Sequence, residues 1–195
     1  MTGLSQVRLA LVAPSGAGKS TTARLLQQYF EAADISVEVV KLAEPLYELQ
    51  RAFYQQSCLA ISEGAQNQQL LECIAQQLRA LDSRSMVMNF AKRLACCEAD
   101  VVINDDLRDD ATDWPYLHDQ GFQVIKIFTD ASLRQSRLGK RGDVNVVADS
   151  VLDLQMRRIA ADYALPNNHS LQRLEAHVAV IAKWSMRASR HWLGS

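Results

Sequence analysis

The residues Ala13-Pro14-Ser15-Gly16-Ala17-Gly18-Lys19-Ser20 carry the clearest chemistry in the sequence. They follow the pattern of a phosphate-binding loop, Gly-x-x-x-x-Gly-Lys-Ser, with Ala13 in place of the first glycine. Glycines in such a loop let the backbone curl until successive N–H groups face phosphate oxygens, and a helix starting there adds partial positive charge. Ser15, Gly16, Ala17, Gly18, Lys19, Ser20 and Thr21 are therefore the expected nucleotide contacts. Lys19 reaches the β- and γ-phosphates in this reading, and the Ser20 hydroxyl ligates Mg²⁺.

Asp105, Asp106 and Arg108 follow the apolar run Val101-Val102-Ile103. A carboxylate at a strand's carboxyl end can hold Mg²⁺, directly or through water, or orient an attacking hydroxyl. Asp105 is the expected metal-side residue with Asp106 as the other candidate, and Arg108 can grip a phosphate bidentately. The competing reading is a solvated turn in which Arg108 pairs with a neighbouring aspartate. Asp109, Asp110 and Asp113 read as surface charges. Arg134, Arg137 and Arg141 recur at i, i+3 and i+7 and so share a helix face, with Lys140 beside them. They form either a lid that stabilises charge on a transferring phosphoryl group or a solvated basic face. Tyr47, Arg51 and Tyr54 share another helix face, suited equally to clamping a phosphate beside a stacked base and to half-buried packing.

These residues need elements to hold them. Residues 7–12, 36–42, 100–104 and 122–128 read as strands, with 163–166 as a short edge strand. Helical periodicity covers 19–33, 114–120, 131–138, 149–160 and 171–192, and 139–148 reads as a loop. The Gln- and Leu-rich stretch over 45–98 predicts three helices, broken near 57–64 and 82–85. Strands alternating with helices imply an α/β fold with a parallel sheet covered on both faces. No internal repeat or linker divides the 195 residues, so one domain is expected.

Composition excludes several functions. Lys and Arg number 21 and Asp and Glu 22, a net charge of −1 that suits neither a nucleic-acid polymer nor an anionic membrane. That sum hides segregation, because the acidic run lies over 100–113 and the basic one over 134–141. The N-terminus lacks the pattern of a secretory signal, and no apolar run is long enough for a transmembrane helix. Cys58, Cys73, Cys96 and Cys97 lack metal-site spacing and read as free thiols of a cytoplasmic protein.

The sequence resembles the P-loop nucleoside monophosphate kinase-like group, with its nearest likeness to the bacterial and phage deoxynucleoside monophosphate kinase family. The loop carries the resemblance together with Leu42-Ala43-Glu44-Pro45-Leu46, Val102-Ile103-Asn104-Asp105-Asp106-Leu107-Arg108 and Ala161-Asp162-Tyr163-Ala164-Leu165-Pro166-Asn167-Asn168. The last stretch is shared with dephospho-coenzyme A kinases. Asp109-Asp110-Ala111-Thr112-Asp113 stands where the family usually holds an Asn-Glu pair. The resemblance implies a P-loop NTPase three-layer sandwich with a helical substrate subdomain over about 45–98 and an arginine-bearing lid over about 134–148. It implies ATP- and Mg²⁺-dependent transfer of a γ-phosphoryl group to a small-molecule phosphate acceptor such as a (deoxy)nucleoside monophosphate. Lys19, Asp105, Asp106, Arg108, Arg137 and Arg141 would be catalytic, and Glu44, Tyr47, Arg51 and Arg108 would bind the acceptor. Asn167 and Asn168 would lie near adenine, and a homodimer stays open. The alternatives are a dephospho-coenzyme A kinase-like or specialised metabolite kinase acting on a hydroxyl, and a non-catalytic P-loop nucleotide switch.

Overall fold

The computed structural model describes residues 6–62, 64–141 and 151–191. Five strands, β1 (Val7–Val12), β2 (Val37–Val39), β3 (Val101–Leu107), β4 (Gln123–Phe128) and β5 (Tyr163–Pro166), pair in parallel in the order β2-β3-β1-β4-β5. Helix α1 (Lys19–Glu31) joins β1 to β2, and α2 (Glu44–Gln56), α3 (Gln68–Leu81) and α4 (Ser85–Ala95) lie between β2 and β3. Then come α5 (Asp113–Asp119) before β4, α6 (Ala131–Arg141) and α7 (Val151–Arg158) before β5, and α8 (Leu171–His191).

The strands alternate between two buried faces, as a sheet covered on both sides requires. Leu9, Leu11, Val101, Ile103, Ile125 and Ile127 pack against Leu26 and Phe30 of α1 and Val178 and Ile181 of α8. On the other face Ala10, Val12, Val102 and Val124 meet Phe90 and Leu94 of α4, Leu117 of α5 and Met156 of α7. The result is the expected three-layer α/β sandwich. A separate small core of Leu46, Leu71, Ala75 and Met86 ties α2, α3 and α4 together.

Three elements end three residues away from the sequence expectation. β3 does not stop at Asn104 but runs through Leu107, with all of its residues buried. Its two aspartates are accommodated by partners more than 60 residues away in sequence. β2 ends at Val39; Val40 N still donates to Ile103 O at 2.9 Å, after which the chain leaves the sheet. α6 continues past Leu138 and through Gly139 to Arg141. Residues 142–148 of the expected lid, like the side chain of Arg141, lie outside the described residues.

Candidate functional site

The loop after β1 folds as its glycines demand. Gly16 and Gly18 adopt φ of 77° and 100°, and Gly18 is the N-cap of α1, with no side-chain cap on the helix's first amides. Both positions are also crowded. A Cβ at Gly16 would fall 2.6 Å from the carbonyl oxygen of Arg134, and one at Gly18 would fall 2.4 Å from Asn167 Nδ2. Helix α6 and the end of β5 therefore press directly on the loop. Asn167 Nδ2 donates to Ala17 O at 2.8 Å, Thr129 Oγ1 donates to the same oxygen at 3.0 Å, and Arg137 lies against it at 3.5 Å. Arg137 also donates to Asn167 O at 3.3 Å. Lys19 Nζ donates to the carbonyls of Ala13 and Pro14.

A cleft of about 400 Å³ opens over this loop, a volume suited to a nucleotide-sized ligand. Ser15, Gly16, Gly18, Lys19, Ser20, Thr21, Asp105, Asp106, Arg108, Arg137 and Tyr47 all line it, so residues far apart in sequence meet in one place. Lys41, which the sequence reading did not select, lines it as well.

The two aspartates do different work because β3 carries an irregularity. The pairing with β1 shifts between Ala10 and Val12, so an extra residue of β3 is accommodated beside Asp105 and Asp106. Asp105 takes the Lys41 ammonium, with Nζ 2.9 and 3.2 Å from its two oxygens. Burial opposes the charge on Lys41, but this pairing outweighs it and raises the lysine above its ordinary pKa. Asp106 accepts from Leu42 N, Ala43 N and Asn104 Nδ2 at 2.9, 2.9 and 2.8 Å. It therefore pins the turn that starts α2. Burial, then the neighbouring Asp105 charge, pushes the Asp106 carboxyl upward. Both Asp106 oxygens are thus engaged by this turn, as both Asp105 oxygens are by Lys41.

Next to this cleft lies a narrow slot of about 70 Å³ lined by residues of α2, α3, α4 and α5. Tyr47, Gln66, Asp106 and Arg108 line both spaces. Arg108 Nη2 donates to Ser15 Oγ at 3.2 Å, so the acidic strand end and the phosphate loop are physically joined. The pairing with a neighbouring aspartate that a solvated turn would have implied is replaced by this contact.

Other expectations are corrected. Glu44 and Arg51 line neither space; they pair with each other at 3.6 Å, Arg51 largely exposed. Of Tyr47, Arg51 and Tyr54 only Tyr47 lines the cleft, and Tyr54 Oη accepts from Asn67 Nδ2 at 2.9 Å. Asp109 and Asp113 are buried rather than surface charges. Asp109 Oδ1 accepts from the amides of Ala111, Thr112 and Asp113 at 3.1, 2.6 and 3.2 Å and so holds the turn that leads into α5. An aspartate a few residues ahead of a helix was the signal available for that role. Asp110 pairs with Arg158. Asn168 bonds Asp130 at 3.0 Å, leaving Asn167 as the asparagine that reaches the loop.

The chemistry of the donor set fits a nucleotide and a hard cation. Uncapped helix amides, two glycines in left-handed backbone and Lys19 suit a triphosphate, while the Ser20 hydroxyl and the Asp105 carboxylate on the same wall are oxygen donors of the kind Mg²⁺ takes. Among the described residues no helix is long and apolar enough to cross a membrane.

No family model and no curated protein matches the sequence. Solved structures do match. The chain aligns with shikimate kinase from Aquifex aeolicus at 16% identity and a TM-score of 0.50, covering 96% of this chain and 99% of that one. It aligns with APS kinase from Mycobacterium tuberculosis, solved with AMPPNP and APS, at 16% identity and a TM-score of 0.51, covering 92% and 99%. Shikimate kinase from Acinetobacter baumannii, solved with shikimate, gives 14% identity and a TM-score of 0.50 over 95% and 93%. At these identities the likeness is one of fold: the chain has the α/β architecture of these kinases.

Proposed function

We propose that this chain is an ATP- and Mg²⁺-dependent kinase that transfers a γ-phosphoryl group to a small phosphorylated acceptor, a (deoxy)nucleoside monophosphate or a similar molecule. The observation that carries the reading is the adjacency of the phosphate-loop cleft and the slot under α2 and α3, which share Tyr47, Asp106 and Arg108 in their walls. A nucleotide switch needs the first space and has no use for the second. The single domain then divides by task, with α2 to α4 as the acceptor side and α6 as the base of the lid.

The residues divide the work as phosphoryl transfer requires, by placement and charge rather than covalent chemistry. The loop from Ser15 to Thr21 holds the donor, with Lys19 leaving its carbonyl partners for the β- and γ-phosphates. Ser20 and Asp105 would hold Mg²⁺, which would supply positive charge to the phosphate oxygens. Arg108 holds the acceptor phosphate against the loop, and Arg137 faces the transferring group from α6. An acceptor oxygen forms the new bond to phosphorus while the bond to the β–γ bridging oxygen breaks and ADP leaves. A phosphate acceptor is already anionic and needs no base. The likeness to the deoxynucleoside monophosphate kinase family in the segments around Glu44, Asp105 and Asn167 supports this acceptor class.

A hydroxyl acceptor is the second reading, favoured by the Asp105 carboxylate on the cleft wall, where a base would sit. ADP release measured across mononucleotides, dephospho-coenzyme A and hydroxylated metabolites tests both. Stimulation by a mononucleotide supports the first reading and stimulation by a hydroxyl compound alone supports the second. ATP binding without stimulation by any of them contradicts both.

A further inference from the structure

The slot contains an ion pair that the proposed transfer does not use. Arg79 of α3 and Asp113 at the start of α5 meet at 2.6 Å, and both line the slot. Their side chains are 23% and 6% exposed. The surrounding wall is apolar, formed by Leu42, Leu46, Leu71, Ala75 and Met86.

Such a pair is a poor strut. Removing two charges from water costs about as much as their attraction returns, and apolar residues of the same volume stabilise equally well or better. A strut would also satisfy its own donors, yet Arg79 Nε is buried with no hydrogen-bond partner. Burial pushes the Asp113 carboxyl up to about 6; Arg79 pulls it down and Asp109 pushes it back up. Arg79 thus keeps an unpartnered Nε, whereas Asp113 accepts from Arg79 at Oδ2 and from Thr112 Oγ1 at Oδ1, 3.3 Å away.

We propose that Arg79 and Asp113 together read the distal end of the acceptor, as a donor and an acceptor set side by side against the edge of a planar heterocycle. An anionic tail alone would call for cations, whereas the slot holds Asp113, Asp106 and Glu72 beside Arg79 and Arg108. An apolar wall with both hydrogen-bonding senses at its end complements a nucleobase edge, where a carbonyl and an N–H lie next to each other. Arg79 donates to the carbonyl, Asp113 accepts from the N–H, and Arg108 stays at the phosphate end. This inference rests on the proposed kinase reading and adds the residues that set base preference.

The test is steady-state kinetics with ATP and a panel of nucleoside monophosphates that differ only in base. The wild-type enzyme prefers one base edge by about tenfold to a hundredfold, the discrimination of a good paired contact. Arg79→Gln and Asp113→Asn each flatten that preference, chiefly through acceptor KM, and leave ATP KM within about threefold. The exchanged pair, Arg79→Asp with Asp113→Arg, keeps the bridge and reverses its donor and acceptor, so preference moves to another base. Equal losses across the panel in the single variants, with the original preference kept in the exchanged pair, would show a strut and overturn the proposal. Tighter acceptor binding in Asp113→Asn would also overturn it, by showing that the slot takes an anion. A wild-type enzyme that phosphorylates no mononucleotide overturns the kinase reading itself, and this inference with it.

Discussion

The phosphate loop is built from eight consecutive residues, Ala13 to Ser20, whereas the slot beside it draws on α2, α3, α4, α5 and the segments after β2 and β3. The loop works through backbone amides and one lysine, so its chemistry follows from local conformation. The slot works through side chains that tertiary structure brings together. A loop of this kind can be kept while the slot is rebuilt for another acceptor, which is how one fold serves different small molecules. The loop should therefore control whether transfer occurs, and the slot which acceptor is used.

Variants can break that contrast in decreasing order of effect. Lys19→Ala removes the charge that meets the β- and γ-phosphates and is expected to lower kcat about a thousandfold with any acceptor. Circular dichroism and the thermal midpoint should stay near wild type. Gly18→Ala forces a side chain into left-handed backbone and against Asn167, with an expected cost of about 1–3 kcal/mol to the loop. Nucleotide titration should show weaker binding. Arg108→Ala belongs to the junction. It should raise acceptor KM by about tenfold to a hundredfold and ATP KM by far less, the split expected from a lost charge-assisted contact.

A further effect, spread over about two pH units, is one of pH on stability. In the unfolded chain Asp113 releases its proton near about 3.9. In the native state burial holds the proton until pH reaches about 6. The folded protein binds more protons across that window, so the contribution of Asp113 to stability falls as pH rises from about 4 to 6. Asp106 is shifted in the same sense, so the measurement is the difference between wild type and Asp113→Asn in urea midpoints across this range. The wild type should lose more stability than the variant, by at most roughly 3 kcal/mol.

How much the sequence revealed follows the same division. Glycine and lysine spacing exposed the loop, and apolar runs between turn formers exposed the strands, because those signals are local. β3 looked finished at Asn104, since two aspartates read as site residues beyond the strand's carboxyl end. Lys41 and the amides of Leu42 and Ala43 accept them into the sheet, and nothing near Asp105 announces those partners. Arg79 sits in a Gln- and Leu-rich helix like any surface arginine, with its partner 34 residues away. Asp113 lay in an acidic run that suggested solvent exposure. Arg51 had convincing spacing toward Tyr47 and Tyr54, yet the turn of α2 points it outward to Glu44.

On the proposed reading donor and acceptor occupy one site, with the loop at one end and the slot at the other. A dinucleoside polyphosphate that joins adenosine to the preferred nucleoside spans that distance in a single molecule, and calorimetric titration measures its affinity directly. Bridging both ends should make it bind at least about a hundredfold more tightly than ADP. Lys19→Ala and Arg79→Gln should each remove part of the gain. An affinity equal to that of ADP, unchanged by Arg79→Gln, would contradict the account.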